Sequence, residues 1–153
     1  MSATHRERAG GPVAATDGFV GRGAELDRIS TLLVGSARLI TLIGPGGIGK
    51  TRLATETLRR FAKAKNTPVF WVRLARLAKG SDTQAIEEET TAAVVEADFS
   101  GRSSWTALID TLTRTDPSGR PRQTILVMDN CEHVLTGAGH LIAQLLDAVP
   151  GLT

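Results

Sequence analysis

Apolar residues recur every three to four positions in five stretches of the chain, the spacing typical of amphipathic helices. The first stretch predicts a helix over Gly23–Val34. The apolar faces of the other four predicted helices are, in chain order, Ala54, Leu58, Phe61 and Ala62; Ile86, Thr90, Ala93, Val94 and Ala97; Trp105, Leu108, Ile109 and Leu112; and Leu141, Ile142, Leu145, Leu146 and Val149.

Three shorter apolar runs predict buried strands over Leu39–Ile43, Pro68–Leu74 and Thr124–Met128. Because these strands alternate with helices, βαβ crossovers and a parallel sheet covered by helices on both faces are expected. The chain stops in "VPGLT", directly after a predicted helix and where the next strand is expected. The sequence therefore predicts an α/β sandwich that is incomplete at the C-terminus.

Composition narrows the class of protein without deciding its function. At 153 residues the chain fits one domain, and its net charge of +2 argues neither for nor against a nucleic-acid partner. The single cysteine excludes a disulfide framework, and no apolar run is long enough for a membrane span. Residues 1–17 lack the apolar region of a secretory signal, which predicts a disordered leader to a cytoplasmic domain over 18–153.

The segment "GPGGIGKT", Gly44–Thr51, fits G-x-x-x-x-G-K-[ST] at every fixed position and lies between a predicted strand and a predicted helix. In such a phosphate loop, glycines let backbone N–H groups converge on an anion at a helix N-terminus. Lys50 is predicted to reach the β- and γ-phosphates of a nucleotide, and the Thr51 hydroxyl to bind Mg²⁺. The predicted nucleotide contacts in this region are Gly44, Pro45, Gly46, Gly47, Ile48, Gly49, Lys50, Thr51 and Arg52.

A second half of the same site follows the third predicted strand. Asp129 comes directly after the apolar run "ILVM", and ligands of open α/β sheets bind where the parallel strands end. Asp129 is therefore predicted to hold Mg²⁺, usually through water, opposite Thr51. Together with the phosphate loop, this acid predicts the three-layer α/β/α sandwich of a P-loop NTPase.

The residues after Asp129 also raise the alternative of a zinc site, since Cys131, Glu132 and His133 follow closely. Zinc sites take about four ligands, and here only His140 and carboxylates could complete the set. We therefore expect Cys131 to be a small buried apolar residue and both histidines to lie in loops or on helix surfaces.

Three segments together resemble the STAND ATPases: "FVGRGAEL", "LIGPGGIGKTRLA" and "LVMDNCEHV". The likeness is to the NB-ARC-like ATPase modules of large bacterial transcription regulators of the LuxR and SARP types. It implies an ATP/ADP switch that is flanked, in full-length members, by DNA-binding and repeat-sensor domains. It further implies Mg²⁺ as a cofactor, self-association through the ATPase module, and contact with DNA only through domains outside this chain.

The resemblance also assigns individual residues. Val20, Gly21 and Arg22 match a family segment that lies near adenine, so these three residues are expected to contact the base. The sequence lacks the Asn-Lys-x-Asp motif of guanine-specific proteins, which favours ATP over GTP.

One position departs from the wider family. Many relatives carry a second acid beside the Mg²⁺ acid, whereas this chain has Asn130, which cannot accept a proton from water at neutral pH. Glu132 is the nearest replacement and is predicted, with Lys50 and Asp129, to take part in catalysis by helping to position water; the alternative is that it is an ordinary surface glutamate. Because γ-phosphate sensor and lid elements are expected beyond Thr153, weak or absent ATP hydrolysis is predicted for this chain alone.

Two other classes of function fit the same sequence. A small P-loop kinase would use Arg120 and Arg122 of "DPSGRPR" to bind its substrates, although that segment also reads as an ordinary turn. Alternatively, the chain could be a remnant that packs as an interaction domain and no longer binds nucleotide.

Overall fold

The computed structural model describes residues 21–96 and 101–153, which contain five helices and two strands. The predicted leader over 1–17, and the predictions for Val20 and Ala97, lie outside the described residues. The elements are α1 (Gly23–Val34), α2 (Lys50–Lys65), β1 (Val69–Arg73), α3 (Thr83–Val94), α4 (Ser104–Leu112), β2 (Ile125–Asp129) and α5 (Leu135–Ala148).

Local chemistry accounts for several of the helix boundaries. Asp82 caps α3 by accepting a hydrogen bond of 2.9 Å from the backbone N–H of Ala85, and Ser103 caps α4 by accepting one of 3.1 Å from Thr106. The C-terminus of α2 is followed by Asn66, which has the left-handed conformation common just past the end of a helix.

The two strands form a parallel sheet. Val69 of β1 pairs with Ile125 of β2, and the register continues to Arg73 and Asp129, so both strands end at the same edge. On the other side of β2, Thr124 forms a parallel bridge with Leu152. The predicted α/β class with parallel pairing is therefore confirmed, in a smaller sheet than the sequence indicated.

Helices pack against both faces of this sheet. Because side chains alternate along a strand, Phe70 and Val72 point into a buried cluster with α3, α4 and α5. Val69 and Trp71 contact the opposite cluster, which α1 and α2 build together with Ile125. Among the helices of residues 21–96 and 101–153, none combines the length and apolar character that a membrane span requires.

The prediction of a strand over Leu39–Ile43 is wrong. The segment lies outside the two-stranded sheet, and Leu39 and Ile43 are 57% and 89% exposed. Ile40 and Leu42 are partly buried and pack against the cluster of α1 and α2, so only every second residue of the apolar run faces the core. Strand formation also needs a hydrogen-bonding neighbour, and an apolar run alone does not supply one.

Two glycines of α5 give a matched test of this packing. A Cβ at Gly137 would lie 2.7 Å from the Ile86 side chain and 2.8 Å from the Ser81 carbonyl oxygen, whereas a Cβ at Gly139 would meet nothing within 4 Å. Gly137→Ala is therefore expected to lower the free energy of unfolding by about 1–3 kcal/mol through overpacking. Gly139→Ala should raise it by up to about 1 kcal/mol, since alanine is the better helix former. Urea denaturation of both variants checks this, and equal effects would contradict the close contact at Gly137.

Candidate functional site

The phosphate loop runs directly into α2. Gly47 and Gly49 have φ values of +80° and +84°, in the left-handed region where only glycine is unstrained. Gly49 is also the N-cap of α2 and offers no side chain to the first N–H groups of the helix. The helix therefore begins with its positive end and unsatisfied donors at the loop, which is an arrangement suited to an anion.

Lys50, the first residue of α2, is folded back over the loop. Its half-buried side chain donates hydrogen bonds of 2.7 Å to the Gly44 carbonyl oxygen and 3.1 Å to that of Pro45. These two contacts place the ammonium group at the loop, within reach of any anion that the loop binds.

Thr51 and Asp129, 78 residues apart in the chain, are brought together at the strand ends. The Thr51 hydroxyl lies 3.0 Å from Oδ1 and 3.1 Å from Oδ2 of Asp129. The Asn130 N–H also donates to Oδ1 of Asp129, at 3.0 Å. A hydroxyl and a carboxylate are the hard oxygen ligands that Mg²⁺ prefers, and Mg²⁺ keeps several of its waters beside one or two protein groups. These two residues therefore fit the ion.

Arg22 contacts the phosphate loop from outside. Its Nη1 donates a hydrogen bond of 2.8 Å to the Ile48 carbonyl oxygen, while Nε and Nη2 donate to Glu25 at 2.7 and 2.6 Å. Hydrogen bonding from Arg22 lowers the pKa of Glu25 and raises that of Arg22, so both stay charged at neutral pH. Gly21, also assigned to adenine by resemblance, is exposed with φ of +94°.

The segment after Asp129 turns sharply. Asn130 has φ of +58°, a left-handed conformation that asparagine tolerates better than most residues. Sequence reasoning treated Asn130 only as a missing base and missed this backbone role, although an asparagine at a strand end is a recognised signal for it. Glu132 is exposed, two residues beyond the turn.

Cys131 and His133, in the same segment, contact the protein's own backbone and core. His133 Nε2 lies 2.9 Å from the Leu77 carbonyl oxygen, and the His133 carbonyl accepts a hydrogen bond of 2.9 Å from Gly80. Cys131 is half-buried against the core, and this burial raises its thiol pKa. His140 is exposed on α5. The segment is thereby fastened to the loop that follows β1.

The remaining predicted contacts divide between the two ends of the sheet. Arg52 is exposed in the first turn of α2, close to the phosphate loop in sequence. Arg122 precedes β2 and lines a groove with Phe61 and Lys65, whereas Asp129 ends the strand. The arginines of the kinase alternative therefore belong to the end of β2 remote from Asp129.

A profile of the AAA ATPase domain matches residues 18–151, which include the loop, α2 and Asp129. The chain belongs to the AAA ATPase domain family. Membership implies a P-loop α/β fold, in agreement with the parallel strands and the glycine-rich loop that precedes α2.

Curated relatives of this AAA ATPase domain come from mycobacteria. A protein of Mycobacterium tuberculosis named "Putative HTH-type transcriptional regulator Rv0890c" is 36% identical over 121 residues, which cover 79% of this chain and 12% of the relative. The Mycobacterium bovis protein with the same description, Mb0914c, matches equally well. An uncharacterized protein of M. tuberculosis, Rv0894, is 36% identical over 135 residues, 88% of this chain and 32% of its own length. No solved structure matches the sequence significantly.

The chain thus spans between about an eighth and a third of the length of these relatives. Their names therefore describe proteins that are much longer than this chain. The family, in contrast, is a property of the matched segment itself.

Proposed function

We propose that this AAA ATPase domain binds ATP or ADP with Mg²⁺ and acts as a nucleotide switch within a regulatory protein. The observation that carries the proposal is the convergence of Lys50, Thr51 and Asp129 at one edge of the sheet. The Thr51 hydroxyl lies 3.0 Å from Asp129, and Lys50 contacts the loop carbonyls beside it.

Each group has a part that follows from its chemistry. The backbone N–H groups of the phosphate loop and the start of α2 bind the β-phosphate, and Lys50 adds a positive charge to the β- and γ-phosphates. Thr51 and Asp129 would hold Mg²⁺, Asp129 through water. The ion would supply positive charge that offsets the negative charge of the phosphates.

The regulatory part of the proposal rests on the relatives and on the resemblance to STAND and NB-ARC modules. Rv0890c and Mb0914c both carry the name "Putative HTH-type transcriptional regulator", and this chain matches only a small part of each. In a protein of that kind, the ATPase domain changes state with its nucleotide while other domains contact DNA. Self-association through this domain and a cytoplasmic location belong to the same proposal.

The position of the phosphates can be tested with three nucleotides. ATP-Mg²⁺ and ADP-Mg²⁺ are each expected to bind the purified chain with a stoichiometry of one, at the same site. AMP, which lacks the β-phosphate, is expected to bind at least about tenfold more weakly, a difference of ~1.4 kcal/mol. Isothermal titration calorimetry measures all three affinities. AMP and ADP of equal affinity would place the nucleotide away from the phosphate loop.

Hydrolysis tests the part assigned to Glu132. Asn130 cannot act as a base, so we propose that the exposed Glu132 carboxylate helps to position the attacking water. In a full-length relative that has a glutamate at the position of Glu132, its replacement with glutamine should lower single-turnover hydrolysis by about tenfold or more while nucleotide affinity stays unchanged. The control is the same replacement at the position of Glu88, which is exposed on α3, where that relative also has a glutamate. An unchanged rate in the Glu132 variant would show that this glutamate is a surface residue only.

A further inference from the structure

Arg22 makes a contact that adenine recognition does not explain. Its guanidinium joins two groups that are not part of any ligand: the Glu25 carboxylate at the start of α1 and the Ile48 carbonyl in the phosphate loop. The Arg22 side chain is only 26% exposed, although the salt bridge to Glu25 lies at the surface. One residue thus ties the entry to α1 to a loop 26 positions away.

The hydrogen bond to the Ile48 carbonyl determines which way the backbone N–H of the next residue, Gly49, points. A trans peptide is planar, and its C=O and N–H point in opposite directions. When Arg22 holds the Ile48 carbonyl on its own side, the N–H of Gly49 in the same peptide faces the other side of the loop. Gly49 has the positive φ of +84° that this orientation accompanies, and Arg22 Nη1 would lie 3.6 Å from a Cβ at that position.

This orientation is what an anion cradle requires. Such a cradle forms when successive backbone N–H groups converge and the carbonyls face away. A fixed donor holds an outward carbonyl in one orientation, and Arg22 is that donor for Ile48.

Glu25 fixes the position of the Arg22 guanidinium and offsets its positive charge. Its two carboxylate oxygens accept from Nε and Nη2, a bidentate arrangement that fixes the guanidinium plane. The same carboxylate neutralises the positive charge of Arg22. What remains for the loop is a rigid donor at 2.8 Å from the Ile48 oxygen.

We infer that Arg22 is a positioning residue for phosphate binding: held by Glu25, it fixes the Ile48–Gly49 peptide so that the Gly49 N–H faces the bound phosphate. The inference rests on the proposed function of the phosphate loop.

Inorganic pyrophosphate with Mg²⁺ is the probe that separates this role from adenine contact, because it has no base. Arg22→Ala is expected to weaken pyrophosphate and ATP alike, by about tenfold or more. Arg28→Ala, at an exposed position on α1, should leave both affinities unchanged. An Arg22→Ala variant that loses ATP affinity but keeps that of pyrophosphate would overturn the inference in favour of adenine contact.

Two further variants separate position from charge. Arg22→Lys keeps the charge but not the fork of donors, so it should recover little of the lost affinity. Glu25→Gln removes the carboxylate charge; if Arg22 acted by attracting phosphate, this variant would bind pyrophosphate more tightly. We expect weaker binding, since the guanidinium is then held less firmly. Full recovery in Arg22→Lys, or tighter binding in Glu25→Gln, contradicts the inference.

Failure of this inference is distinguishable from failure of the proposed function. If the wild-type chain binds neither ATP nor pyrophosphate, the proposed function fails and the role of Arg22 with it. If the wild type binds both and Arg22→Ala binds both equally well, only the role of Arg22 is wrong. The melting temperature of each variant without ligand shows that it is folded, and Glu25→Gln decides the question should Arg22→Ala not fold.

Discussion

Replacing Lys50 with alanine is expected to remove most of the thermal stabilisation that ATP-Mg²⁺ gives to the wild-type chain. At a free ATP concentration of about 100 times Kd, binding should stabilise the wild type by about 2.7 kcal/mol. For a domain of this size, that corresponds to a rise in melting temperature of roughly 5–10 °C. The variant should lose nearly all of the rise, because Lys50 places the only ammonium group that the described residues show bonded to the phosphate loop.

The control for this experiment is Lys63→Ala. Lys63 is exposed near the C-terminal end of α2, so its loss removes the same charge from the same helix, far along the helix from the loop. Its ATP-dependent shift should equal that of the wild type. A shift of equal size in Lys50→Ala and in the wild type would mean that nucleotide binds elsewhere on the protein.

Asp129→Asn is expected to uncouple ATP binding from Mg²⁺. The amide keeps the size of the side chain and removes the charge that attracts the ion. Because Asp129 is proposed to hold Mg²⁺ through water, the affinity for the ion should fall by about 10–100-fold, as it does when an outer-shell partner of a metal is lost. Calorimetric titration of ATP at several Mg²⁺ concentrations measures this change.

Without Mg²⁺, the same variant should bind ATP at least as tightly as the wild type, since a carboxylate near the phosphates has been neutralised. Asp147→Asn, at an exposed position on α5, is the matched control and should leave the Mg²⁺ dependence intact. If the Mg²⁺ dependence of Asp129→Asn equals that of the wild type, the assignment of Asp129 as the Mg²⁺ acid is wrong.

Parts of the fold and of the candidate site could be predicted because they depend on short sequence patterns. The face of α1 and its bounds, Gly23–Val34, follow from helical spacing. The contact between Thr51 and Asp129 follows from a general property of parallel sheets, whose strands end at a common edge. A fixed-spacing motif and a buried strand ending in an acid were sufficient to bring these two residues together.

What could not be predicted depends on partners that lie far apart in sequence. The apolar run Leu39–Ile43 predicts a buried strand, but the neighbouring strand needed for a ladder cannot be read from the run itself. The hydrogen bond from Arg22 to Ile48 involves a backbone carbonyl, which has no sequence signature. Asn130 was judged by its side-chain chemistry, whereas its φ of +58° gives it a backbone role as well.

The most direct test of nucleotide binding at the phosphate loop is the change in backbone amide NMR signals when ADP-Mg²⁺ is added to the chain, whose mass of 16.2 kDa suits the method. The largest shifts are expected at the N–H groups of Gly46–Thr51, including Gly49, with smaller shifts at Asn130 beside Asp129. Large shifts confined to another region, such as the groove beside Arg122, or no shifts at a saturating ADP concentration, would contradict nucleotide binding at the phosphate loop.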